Sequence, residues 1–154
     1  MEDSLKIRLR NQEFNLAKTI VDQADEFFSD SVKVEFYRGE VYRGFAQYPE
    51  KSALEYQWIM TGKEKVDEAT EERFKRDQPA NLAAAVQSYQ VSARANPPYA
   101  KASRRLGEIA EQRGQKQQAL EYYSEYLKLA PDASDRRYVE LAINRLGKNT
   151  GESP

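Results

Sequence analysis

AKASRRLGEIAEQRGQKQQALEYYSEYLKLAPD, residues 100–132, decides how the rest of the chain is read. Its apolar residues recur at spacings of three and four, in two runs. Leu106, Ile109, Ala110 and Arg113 share one face of a first helix, and Ala119, Leu120, Tyr123, Tyr126, Leu127 and Ala130 share one face of a second. The chain is expected to fold back at Arg113-Gly114, because glycine is the usual residue just past a helix end. Pro131 ends the second helix, since proline cannot continue the backbone hydrogen bonding. A hairpin this short cannot bury its apolar stripe alone, so neighbours of the same kind are expected.

The pattern resembles the tetratricopeptide repeat, a helix–turn–helix unit of about 34 residues. Leu106-Gly107, Gly114, Ala119 with Tyr123 four residues later, and Pro131 carry the resemblance. Gly107 and Ala119 are small, so two helix backbones can approach, and Tyr123 fills the gap toward the next helix. Ser103 and Ala110 depart from the pattern, standing where the family usually has a large aromatic and a tyrosine. The resemblance implies an all-α fold of antiparallel helix–turn–helix repeats, stacked as a short right-handed superhelix and closed by a capping helix.

The chain's 154 residues suffice for one domain with a real core, expected over 1–147, followed by a disordered tail at 148–154. With 24 basic and 25 acidic residues the net charge is −1, which argues against a general binder of nucleic acid or anionic membrane. The basic residues at Arg136-Arg137 and in 71–76 have acidic neighbours and no interleaved exposed aromatics, so neither reads as a nucleic-acid surface. No apolar run approaches the length of a membrane span, and MEDSLKIRLR lacks the apolar centre of a signal peptide. A soluble chain is expected, periplasmic or cytoplasmic. Cysteine and histidine are both absent. That removes thiol and imidazole nucleophiles and bases, thiolate zinc sites and disulfides. Carboxylates, Lys, Tyr and Ser form no recognisable catalytic constellation, so no enzyme activity, cofactor or metal is expected.

Toward the N-terminus, residues 3–28 read as helical with a break near Asn11. Phe14, Leu16, Ala17, Ile20, Val21, Ala24 and Phe27-Phe28 form the stripe after it. Ser29-Asp30-Ser31 reads as a stop and a fresh helix cap. The next helix, 32–46, places Gly39 and Tyr42 as the first helix of a repeat would, and 80–95 repeats the small-then-tyrosine spacing with Ala85 and Tyr89. Between them lies 47–79. Arg73 falls where a close helix pair needs a small residue, which favours an insertion: 32–46 packs on 80–95, and 47–79 loops out with a solvated helix at 64–77. The alternative is a degenerate repeat. Trp58, with Tyr56, Ile59 and Met60, is expected to cap the repeat core, the competing reading being an exposed anchor for a partner. After Asp132 or Ser134 a last helix points Tyr138, Leu141, Ala142 and Leu146 inward, and Gly147 stops it.

By resemblance to the family, first helices line a groove for a peptide. Its candidate residues here are Lys33, Phe36, Tyr37, Glu40 and Arg43 from one helix, and Lys101, Arg104, Arg105, Glu108 and Glu111 from another. Lys101, Arg104 and Arg105 offer a basic patch for a peptide carboxylate. The competing reading is a solvated face on which Arg104 and Glu108 pair at i, i+4. Glu40 and Glu108 stand where chaperone-binding members carry asparagine, which weakens that specialised role. The expected function is a scaffold for a protein or peptide partner, the alternatives being a homo-oligomerisation module or a regulatory domain excised from a larger bacterial envelope protein or peptidase. YLKLAPDASDRRYV also resembles, more loosely, repeat domains of bacterial envelope lipoproteins and zinc-dependent peptidases.

Overall fold

A computed structural model describes residues 1–27 and 31–150 of the chain. Among these the fold is all-α, with nine helices and no strand: α1 (Glu2–Arg10), α2 (Phe14–Phe27), α3 (Ser31–Gln47), α4 (Pro49–Thr61), α5 (Glu68–Arg76), α6 (Gln78–Arg94), α7 (Ala100–Gln112), α8 (Lys116–Leu129) and α9 (Arg136–Thr150). No described helix is long and apolar enough to cross a membrane. The expected stop at Ser29-Asp30 and the last four residues of the expected tail lie outside the described residues. The chain divides into two compact units, Met1–Ser88 and Tyr89–Pro154, with the boundary inside α6.

In the first unit the break near Asn11 is a tight helix end. Gln12 takes a left-handed backbone conformation, φ 60°, and Glu13 N–H reaches back to the Arg8 carbonyl at 2.9 Å. This is a glycine position occupied by glutamine. Phe14, opening α2, meets Gly44 near the end of α3, so these two helices run antiparallel. Phe14 also lies edge-on to Phe45 at 6.3 Å and stacked on Tyr48 at 5.9 Å. The core continues through Ala17, Val21, Phe36, Val41 and Ala53, all buried.

The expected insertion is not what forms. Residues 47–79 hold α4 and α5, which pack on each other and on the helices before them, α4 on α2 and α3 and α5 on α3, while α3 also packs on α2. Phe74 of α5 is buried, 5.9 Å from Phe45 and 5.8 Å from Tyr56 between ring centres. Arg73 wedges nothing apart: half-buried, it sets its guanidinium over the Tyr56 ring, 4.6 Å from the ring centre. The charged residues of α5 disguised a helix with one strong apolar anchor. Asn15 ties α2 to α4, its side-chain amide donating to the Ser52 carbonyl (2.8 Å) and to Glu55 (2.6 Å).

In the second unit, α7 and α8 form the hairpin read from 100–132. Gly114 has φ 73°, and its turn is closed by Gln115 N–H to Ala110 (2.9 Å) and Gly114 N–H to Glu111 (3.0 Å). α8 ends at Leu129, two residues before Pro131. Leu106, Ile109, Ala110, Ala119, Tyr123 and Tyr126 are buried as expected, whereas Arg113 is exposed. Tyr123 lies over Gly107 itself, where an added methyl would meet the ring at 2.7 Å. The small residue therefore serves its own hairpin. α9 closes this core with Val139, Ala142 and Leu146. Tyr138 and Leu141, expected inside, are 61% and 58% exposed. α9 starts at Arg136 and runs through Gly147, which stops nothing.

Candidate functional site

On α7 the expected carboxylate-binding cations are already engaged. Arg104 Nε lies 3.1 Å from Glu108, and the same guanidinium pairs with Asp135 ahead of α9. Arg105 reaches Glu108 at 3.1 Å. Glu111 accepts a 2.7 Å hydrogen bond from the Tyr123 hydroxyl and pairs with Arg145 of α9. Tyr126 donates to Asp135 at 2.5 Å. The arrangement is two parallel relays, each a buried tyrosine donating to a carboxylate that also holds an arginine. They lock α7, α8 and α9 together and fix the rotation of α9 about its axis. Burial, then the hydroxyl's bond to Asp135, pushes the Tyr126 phenol up to about 12. Burial and the bond to Glu111 raise Tyr123 further. Lys101 is exposed on the same helix. Of the two readings of the α7 cations, the geometry favours the self-paired face.

The α3 candidates separate in a similar way. Phe36 and Tyr37 are buried and belong to the core, not to a groove surface. The Tyr37 hydroxyl donates to Glu2 of α1 at 2.8 Å, and Lys33 lies 3.7 Å from the same carboxylate. Lys6, one turn along α1, also pairs with Glu2 at 3.0 Å. The hydrogen bonds from Lys6 and Tyr37 hold the Glu2 carboxyl down to about 2. Glu40 and Arg43 are half-buried. The α3 set lies in the first unit and the α7 set in the second.

α4 carries what the sequence placed in the core. Trp58 is 58% exposed, and Leu54, one turn earlier, is 43% exposed. Ile59 and Met60 at the end of the helix are exposed as well. Trp58 therefore does not cap the core: Ala53 and Gln57 face inward instead. Gln57 satisfies its buried amide with Thr61 and the Asp67 N–H, both at 3.3 Å. A polar residue on the inward face misled the sequence reading, because periodicity alone gives an aromatic priority over glutamine for the core. Among the described residues no group of three or more acidic side chains is placed to hold a metal ion. The trough along α8, lined by Gln117, Leu120, Glu121, Ser124, Glu125 and Lys128, is wide open and built from one helix.

No family model, curated protein or solved structure matches this chain.

Proposed function

We propose that the chain is a protein-interaction scaffold of tetratricopeptide-like helical hairpins, which binds a peptide or a partner domain and performs no chemistry. One observation carries this reading: the chain's single tryptophan, Trp58, stands exposed on a helix whose inward face is already packed, with Leu54 beside it. An exposed tryptophan on a rigid helix gains nothing for the fold. It is the residue type that most often anchors a partner. The engaged state of Arg104, Arg105 and Glu108 moves the expected contact away from a carboxylate clamp and toward an apolar anchor.

A displayed peptide library selected on the immobilised protein, counter-selected on Trp58→Ala, tests the proposal. Enriched peptides should shift Trp58 fluorescence on binding and lose most of their affinity for the variant. Failure to enrich any sequence over the variant overturns Trp58 as the anchor. Sedimentation of the chain across micromolar concentrations separates the alternative, a homo-oligomerisation module: an oligomer dissolved by Trp58→Ala would favour self-assembly.

A further inference from the structure

α9 is predominantly basic. α9 contains four basic residues, Arg136, Arg137, Arg145 and Lys148, against one acidic residue, Glu140. Glu140 is held by Arg136 at 2.7 Å, which neutralises that pair. Arg145 is shared with Glu111, while Arg137 and Lys148 form no ion pair among the described residues and are exposed. Between them, at helical spacing, sit Leu141 and Tyr138, both more than half exposed. The Arg104 guanidinium lies 5.6 Å from the centre of the Tyr138 ring, its charge already matched by Glu108 and Asp135. The surrounding unit is also net basic, with 11 Lys and Arg against 8 Asp and Glu, in a chain whose total is acidic.

We infer that this face docks an acidic amphipathic helix: a partner segment with a leucine or aromatic stripe flanked by carboxylates. Resting on the interaction-scaffold reading, the inference adds a second surface to it, distinct from Trp58, and gives that surface's partner a chemistry. Leu141 and Tyr138 supply the apolar centre, and Arg137 and Lys148 the charged ends. Those two cations lie eleven residues apart along the helix, roughly 16 Å, so the partner must span about three turns. Like charges exclude a second copy of α9 as the occupant. An anionic bilayer is a poorer fit, because only two apolar side chains are available to enter it and Asn144 lies on the same exposed face.

The test uses the full chain and a synthetic helical peptide of about 18 residues carrying a Leu stripe flanked by Glu, with a scrambled peptide of the same composition as control. Fluorescence anisotropy is read at about 20 and about 200 mM salt. Expected is binding of the patterned peptide that weakens with salt, falls about tenfold or more in Arg137→Glu/Lys148→Glu and in Leu141→Asn, and is unchanged in Trp58→Ala. All substituted residues are exposed, and circular dichroism checks their folding. Equal binding by the scrambled peptide, or binding indifferent to the α9 variants, overturns the inference. Loss in Trp58→Ala but not in the α9 variants overturns it while leaving the scaffold reading standing. Absence of peptide binding alongside α9-dependent capture on anionic phosphatidylglycerol vesicles replaces the helix with a membrane.

Discussion

Gly44, Gly107 and Gly147 each lie within a helix, so alanine at any of them gains similar helix propensity, about 1 kcal/mol at most. The surroundings then set the sign. At Gly147 an added Cβ meets nothing within 4 Å, and Gly147→Ala should stabilise by up to about 1 kcal/mol, less near the fraying end. At Gly107 it would stand 2.7 Å from two atoms of the Tyr123 ring. That ring is buried, and its hydroxyl is tied to Glu111, so it cannot swing aside without breaking the bond. Overpacking of this kind costs about 1–3 kcal/mol, leaving Gly107→Ala destabilised by about 1 kcal/mol. At Gly44 the overlap is deeper: the new Cβ lies 2.2 Å from two Phe14 ring atoms. The ring must retreat by roughly 1.2 Å to reach ordinary contact, against Phe45 and Tyr48, for a net loss of about 2 kcal/mol or more. Urea unfolding followed by circular dichroism gives the totals. Residue-resolved hydrogen exchange assigns the Gly44 loss to Met1–Ser88 and the other two effects to Tyr89–Pro154. A neutral or stabilising Gly44→Ala, or Gly107 and Gly147 variants that cannot be told apart, would refute the argument from close approach.

Phe74→Ala should cost about 3–4 kcal/mol, because the ring joins Phe45 and Tyr56 in the core, whereas Trp58→Ala should stay within about 0.5 kcal/mol in the absence of a partner; denaturant midpoints decide. Gln12→Gly relieves a left-handed glutamine and should raise stability by about 0.5–1 kcal/mol, little reduced by loss of the exposed bond to Lys51, as read by thermal melting. The raised phenols of Tyr123 and Tyr126 favour the protonated form in the folded chain. Their contribution is therefore complete below pH 10, the unfolded value, and is lost as pH rises through about 12 for Tyr126. Tyr126→Phe should cost about 1 kcal/mol at neutral pH and flatten part of that alkaline loss, measured by circular dichroism alongside tyrosinate absorbance.

The α7–α8 hairpin was legible because every local signal agreed: stripe, turn glycine, small residues at the crossing and terminal proline all pointed to one geometry. The relays were not. Nothing in the spacing of Glu111 and Tyr123, or of Tyr126 and Asp135, marks them as partners, since their contacts arise from the packing of α8 against its neighbours. The same relays explain the misread of α9. Val139-Ala142-Leu146 and Tyr138-Leu141 are both acceptable apolar registers for one helix. Asp135, tied to Tyr126 and Arg104, selects the first and turns the second to solvent.

Residues 47–79 failed for a different reason. Composition made α5 look solvated, and a single buried phenylalanine outweighs six charged residues when their stems can lie along the surface and their heads stay in water. By itself the sequence determined that the chain is helical, where α7 and α8 turn, and which small residues let them approach, because these follow from neighbours three, four or a few residues away. Only the tertiary structure decided that α4 and α5 pack, that Phe36 and Tyr37 are core, and that Trp58, Tyr138 and Leu141 face outward. Which of two apolar faces a helix buries depends on what the rest of the chain brings against it.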